Sequence, residues 1–236
     1  MIKIEKMTIK YPNGRGVFDI DFAVEKGECV GFLGPNGAGK TTTIRCLLGF
    51  LRPLAGNCTI DAQNCFEHSP EICKKIGYIA GEPAFPDGMS GMEYLNFIQN
   101  MRGITDRKRM EELVKYFDFD PRGKIKRMSK GMKQKTAIVA AFMHDPEIYI
   151  FDEPTSGLDP IMQIKFIELM KREKAKGKTI LLSTHMIGEI KSTADRMQII
   201  RVGRIVKEMG KTEIEKTNLE KIVYEYYVDE QNGGTI

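Results

Sequence analysis

The stretch GPNGAGKTT, Gly34 to Thr42, decides how the rest of the chain is read. It fits the pattern G-x-x-x-x-G-K-[ST]: Gly34 and Gly39 frame Pro35, Asn36, Gly37 and Ala38, and Lys40, Thr41 and Thr42 follow. From average residue usage, a chance match in a chain of this length has a probability on the order of one per cent. The context agrees with the pattern. The apolar run CVGFL, Cys29 to Leu33, reads as a buried strand feeding the loop, and a helix is expected to begin near Lys40. Glycines permit the dihedrals that turn successive backbone N–H groups inward around an anion. The helix start adds its positive dipole end. Lys40 is suited to neutralise β- and γ-phosphate charge, and the Thr41 hydroxyl to ligate Mg²⁺.

A triphosphate site also needs a second metal ligand and a group that organises water. The segment EIYIFDEP supplies both types: an apolar strand, Ile148 to Phe151, ends in Asp152 and Glu153. Two carboxylates at a strand end lie where strands feed a nucleotide crevice. Asp152 is the candidate Mg²⁺ ligand, and Glu153 the candidate general base. The next buried strand, KTILLST, runs into His185, which it can bring towards the γ-phosphate.

Along the chain, period-two alternation in IKIEKMTIKY and FDIDFAV predicts strands before the glycine-rich loop. MEYLNFIQNM, RKRMEELVKYF and KQKTAIVAAFM repeat apolar residues at helical spacing, separated by GITD and DPRGK, so residues 92 to 143 form a helical insert. Afterwards short apolar runs alternate with helical stretches at Ile161 to Lys176 and Met186 to Thr193, and RMQIIRV closes the series. The fold class is α/β. The final DEQNGGTI reads as a frayed end.

Bulk composition removes several alternatives. The 236 residues, 42% hydrophobic and 29% charged, suffice for one large domain or two lobes. A net charge of +4 from 36 cationic and 32 acidic side chains does not suggest a nucleic-acid binder. No apolar run reaches the roughly 18 residues of a membrane span, and MIKIEKMTIK is unlike a signal peptide, so a cytosolic location is expected. Cys29, Cys46, Cys58, Cys65 and Cys73 form an odd set without a CxxC pair, read as reduced structural thiols. His68, His144 and His185 are dispersed, which argues against a histidine metal centre.

RMSKGMKQK, Arg127 to Lys135, has four cations among nine residues and no acid, the composition of a solvated helix face. Its place shortly before the acidic strand gives it another meaning. In order, GPNGAGKTT, MSKGMKQK, IYIFDEP, SGLD at Ser156 to Asp159 and STH resemble the phosphate loop, signature, acidic strand, D-loop and switch histidine of the ATP-binding-cassette (ABC) ATPases. The resemblance spans approximately residues 1 to 210. It implies a P-loop NTPase with a RecA-like core, an antiparallel β lobe and an inserted helical subdomain at about 85 to 143, followed by an extension over 211 to 236.

The resemblance also implies roles that the residues alone do not. Tyr11, ending the first strand, becomes the adenine-stacking aromatic. Ser129, an N-cap candidate, and Gly131 present backbone N–H groups to the γ-phosphate held by a second cassette in a head-to-tail dimer, a homodimer or a heterodimer with another cassette. Two departures stand out. Lys130 replaces the first of two signature glycines, and where the family has its glutamine loop this chain reads IAGEP, leaving Gly81 or Glu82 in place of Gln, with Glu82 the candidate metal ligand.

The function implied is hydrolysis of ATP with Mg²⁺ by a cassette peripheral to the inner face of the cell membrane, powering an integral-membrane permease. AFPDGMSGMEYLNF offers aromatic and methionine side chains for that contact. The lone cassette, the SKGM signature and the GE loop look most like ATPase subunits of bacterial ABC-2-type multidrug, peptide or bacteriocin exporters. The alternative is a soluble assembly ATPase without a membrane partner.

Overall fold

The computed structural model describes residues 1–228, so the frayed end expected over 229–236 lies outside the described residues. Alternating apolar residues build β1 (Ile2–Lys10) and β2 (Gly16–Val24), and the continuous apolar run builds β3 (Cys29–Leu33). After α1 (Lys40–Leu47) come β4 (Ala55–Ile60), β5 (Gln63–Asn64), α2 (Ser69–Lys74) and β6 (Ile76–Ile79). The helical insert comprises α3 (Gly91–Met101), α4 (Lys108–Tyr116), a 3₁₀ turn (Ile125–Arg127) and α5 (Lys130–Phe142). Then follow β7 (Ile148–Asp152), α6 (Pro160–Ala175), β8 (Thr179–Thr184), α7 (Ile187–Thr193), β9 (Arg196–Arg201), β10 (Arg204–Gly210), α8 (Lys211–Lys216) and α9 (Leu219–Val228).

Two sheets result, an antiparallel one in the order β2-β1-β4-β5 and a six-stranded one in the order β10-β9-β3-β8-β7-β6. In the larger sheet every neighbouring pair is parallel except β10–β9. Its central strands are buried on both faces, as parallel strands flanked by other layers must be. One face carries Cys29, Tyr149, Phe151, Ile180 and Leu182, covered by Phe142 of α5 and Phe166 of α6. The other carries Val30, Phe32, Ile148, Ile150 and Leu181, covered by Ile44 and Leu47 of α1 and by the antiparallel sheet through Ile4, Ile20 and Phe22.

Local chemistry fixes the insert. Ser90 caps α3 and closes a capping box with Glu93, whose carboxylate receives the Ser90 N–H at 2.6 Å and drops to a pKa of about 2 through that bond. Ser129 caps α5, its hydroxyl accepting from Met132 N–H at 3.2 Å, and Asp159 caps α6 in the same way. Arg102, at the end of α3, donates to the carbonyls of Cys73, Lys74 and Ile76, tying the insert to the edge of the sheet. At the other end of the chain, α8 and α9 bury Ile214 and Leu219 in the cluster that contains Phe142.

Phe142 is the centre of that cluster. Its ring stacks on Tyr149 at 4.6 Å and on Phe151 at 5.5 Å, and meets Phe166 edge-on at 6.1 Å. Phe142→Ala is expected to cost about 3–5 kcal/mol, read as a lower urea midpoint with the secondary-structure signal of the native state retained.

Candidate functional site

Parallel register brings three loops to one level of the sheet. Leu33 lies opposite Thr184, and Asp152 opposite Ser183, so the chain leaves β3, β7 and β8 side by side. The loop after β3 is built on glycines held at positive φ, where other residues are strained. Gly39 has φ +112°, and a side chain there would meet Val17 at 2.5 Å; Gly37 has φ +81°. Thr43 N–H donates to the Gly39 carbonyl at 3.0 Å as α1 starts at Lys40, the residue expected.

Lys40 is 5% exposed, and its Nζ donates to the carbonyls of Gly34 at 2.5 Å and Pro35 at 3.2 Å. It lies 3.1 Å from Glu153 Oε1, a charge contact without the alignment of a hydrogen bond. Next to it, Thr41 Oγ1 donates to Asp152 Oδ2 at 2.6 Å, while Ser183 Oγ donates to Oδ1 at 2.9 Å. Asp152 is 2% exposed, so both oxygens of a buried carboxylate are satisfied. A hydroxyl and a carboxylate in contact form a hard, all-oxygen pair, which fits Mg²⁺, an ion that takes its other ligands from phosphate and water. Glu82 lines the same cavity, with Asn36, Arg45, Ser156 and His185.

Glu153 adopts φ +48°, an uncommon conformation for a residue without a glycine's freedom, and its N–H donates to Ser183 O at 2.9 Å. Its Oε2 meets His185 Nδ1 at 2.6 Å. Because a carboxylate only accepts, Nδ1 carries the proton in that contact. The two residues predicted separately from two strand ends are thus joined, with His185 exposed at 57% and Glu153 at 18%.

Tyr11 stands with Pro35, Asn36, Gly37, Gly39, Lys40, Thr41 and Thr42 around a cleft of about 340 Å³, its hydroxyl 3.5 Å from Thr42 Oγ1. Gly34 packs beneath the loop against Ile200 and Ala38. Ser129 and Gly131 are in neither cavity that contains Lys40 or Thr41. Gly131 instead sits below the Gly157 carbonyl, where an added side chain would come within 2.9 Å. Lys130 does reach the cavity of Glu153, Ser156 and His185, its stem passing over Gly157.

Several participants escaped the sequence reading. Ser183, which holds Asp152, had one signal, a hydroxyl interrupting the apolar run of β8. Gln134, buried in α5, donates to Pro154 O at 2.6 Å and joins the signature helix to the loop after Glu153. Arg45 adds a cation one helical turn beyond Thr41, and Asn13 and Arg15 border the cleft beside Tyr11. A second groove, about 580 Å³, runs between the sheet and the helical insert, lined by Phe50, Glu82, Pro83, Tyr94, Ile98 and His144 among others. Phe50, Phe97 and Met101 are exposed. Among the described residues no cluster of three His, Cys, Asp or Glu side chains forms a metal site. The thiols are free, and burial pushes Cys29, Cys46 and Cys65 up to about 12.

The parallel sheet, its glycine loop and the acidic strand beside it define the class: a P-loop ATPase. A family model described as ABC transporter matches residues 17–156. The bacitracin transport ATP-binding protein of Bacillus licheniformis is 34% identical over 240 residues, covering all of this chain and 78% of that protein. The Nod factor export ATP-binding protein of Cupriavidus pinatubonensis is 31% identical, over 98% of this chain and 72% of that one. A solved dimeric bacterial ABC transporter cassette superposes with a TM-score of 0.81 at 25% identity, covering 89% of this chain and 99% of its own. The chain belongs to the ABC transporter family and is an ATP-binding, ATP-hydrolysing subunit of it. Among the described residues no helix is long and apolar enough to cross a membrane.

His144, on the groove wall, is lowered to about 4 by burial, with Arg102 nearby adding to the effect, against an unfolded value of about 6.5. The unfolded chain therefore binds the extra proton first, and stability falls as pH drops from about 6.5 towards 4. His144→Gln is expected to flatten that part of a denaturation-midpoint-against-pH curve, while leaving the region above pH 7 parallel to wild type.

Proposed function

We propose that this cassette hydrolyses ATP with Mg²⁺ and drives an exporter from the inner face of the cell membrane, with the Lys40–Glu153–His185 constellation as its catalytic centre. The observation that carries the site is the convergence of Lys40 and His185 on the two oxygens of one carboxylate. Lys40 and the loop N–H groups from Gly34 to Thr42 bind the β- and γ-phosphates. Tyr11 offers its ring to the adenine. Thr41 and Asp152, with Glu82 in the same cavity, hold Mg²⁺, which when bound neutralises charge on the phosphate oxygens. Glu153 takes a proton from the attacking water as its oxygen bonds to the γ-phosphorus and the bond to the β-phosphate oxygen breaks. His185, through Nδ1–H, keeps the Glu153 carboxylate turned towards that water.

Ser129 and Gly131 are the parts that one chain leaves unused. Their separation from the chain's own Lys40 supports a head-to-tail pair, in which each signature closes the other subunit's site; the dimeric state of the related cassette supports the same reading. Lys130 would bring a cation to that junction. The groove beside Glu82, with aromatic and aliphatic walls and exposed Phe50, suits a helix from a membrane permease. Its position next to the metal side of the catalytic cavity lets partner contact and nucleotide state bias each other through Glu82. Export as the direction rests on the name of the Nod factor export relative.

Glu153→Gln is expected to retain ATP binding, lose at least 100-fold in turnover (roughly, as for removal of a general base) and accumulate an ATP-bound dimer by size exclusion; near-normal turnover removes Glu153 as base. Lys40→Ala should weaken ATP binding in a titration, and unchanged affinity would count against the phosphate loop. Native purification from membranes should recover a multispanning partner, whereas an exclusively soluble partner would favour an assembly ATPase.

A further inference from the structure

Glu189, in α7, is a buried acid that none of the roles above employs. It is 3% exposed, and its Oε1 accepts from Thr155 Oγ1 at 2.5 Å. Thr155 follows Glu153 by two residues. On the other side Glu189 N–H donates to the carbonyl of Met186, the residue after His185, at 3.2 Å, and Met186 N–H donates to Thr184 Oγ1 at 2.9 Å. Glu189 therefore joins both segments that carry the proposed catalytic pair, one by its carboxyl and the other by its N–H. Its Oε2 is enclosed without an aligned partner, a costly arrangement for a group with only a structural task. Burial raises its pKa, and the neighbouring Glu153 charge adds to the effect.

The helix that bears Glu189 is firmly seated. Ile190 is fully buried against Gly31 of β3, where even a methyl group would collide with Ile190 Cδ1, and Thr193 Oγ1 donates to Glu189 O at 2.6 Å. By contrast, the Glu153–His185 contact involves an imidazole that is mostly solvent-exposed, and water competes effectively with such a bond. The fixed geometry of that pair has to come from behind it.

We propose that Glu189 is a positioning residue for hydrolysis, a buried bridge between Thr155 and Met186 that sets the distance and angle between Glu153 and His185. This rests on the reading of Glu153 and His185 as the catalytic pair. Glu189 touches no phosphate; it acts through the Thr155 hydroxyl on one side and the Met186 carbonyl on the other. Loss of the bridge lets the loops after β7 and β8 drift independently, lowering the chemical step while ATP binding at Gly34 to Thr42 is kept.

The test compares ATPase kinetics of Glu189→Leu, Glu189→Gln, Thr155→Val and the Glu189→Leu/Thr155→Val double variant, with Glu153→Gln alongside. We expect Glu189→Leu and Thr155→Val each to lower kcat about tenfold with KM for ATP within about twofold, as for loss of an interaction expressed in the transition state. Glu189→Gln, which keeps an acceptor for Thr155, should recover most of kcat. The double variant should fall no further than the worse single, because both remove one interaction. Wild-type kcat in Thr155→Val, or losses that multiply in the double variant, overturns the proposal, and Thr155→Val decides the matter if Glu189→Leu does not fold. If Glu153→Gln itself turns over normally, the catalytic reading fails; if it is inactive while Thr155→Val is unimpaired, only the bridge fails.

Discussion

Parallel hydrogen bonding of β8 between β3 and β7 sets the level at which three chemically different loops leave the sheet. With Leu33 paired to Thr184 and Ser183 to Asp152, an N–H-lined loop, a carboxylate pair and an imidazole emerge within bonding distance of one another. A slip by one residue would turn each side chain to the other face, sending Asp152 away from Thr41 and into an apolar layer. The aromatic cluster around Phe142 opposes such a slip, since Tyr149 and Phe151 can stack on it only in the observed register. Packing far from the phosphate site thereby fixes the geometry of the site itself.

The site was legible in proportion to how local its chemistry is. Gly34 to Thr42 and the acidic end of β7 each declare themselves within nine residues, and the helix expected near Lys40 starts there. What the sequence could not show is which strand ends become neighbours, because strand order depends on crossovers rather than on composition. The union of Glu153 with His185 and the support of Asp152 by Ser183 come from that order. Glu189 was invisible for another reason: a charged residue in a polar stretch of helix looks solvated, and only the docking of α7 on Gly31 buries it. The helices α8 and α9 went unread because their apolar spacing is short, and Ile214 and Leu219 gain meaning only against a core already assembled.

The stretch RMSKGMKQK divides as its structure divides. Ser129 spends its hydroxyl on capping α5, Gly131 admits the Gly157 carbonyl, and Gln134 reaches the loop behind Glu153. Arg127 is exposed, the plain solvated face that composition alone suggests, while Lys133 and Lys135 are half-buried. The signature helix is thus joined to the acidic strand from within the same chain, by Gln134 on its buried side and by Lys130 and Gly131 at its start. Any displacement of that helix, by a partner in the groove or by a second cassette, is delivered to the loop that follows Glu153.

The passage of the Lys130 stem over Gly157 has a consequence for how the chain can vary. A side chain at Gly157 would come within 2.7 Å of the lysine's Cγ and 2.8 Å of its Cδ, at a backbone φ of +82° that already disfavours one. A larger residue at 157 would therefore have to displace the lysine stem, whereas a glycine at 130 simply leaves that space open. The constraint runs one way: the lysine that departs from one motif needs the glycine of another, twenty-seven positions later, to lay its stem down.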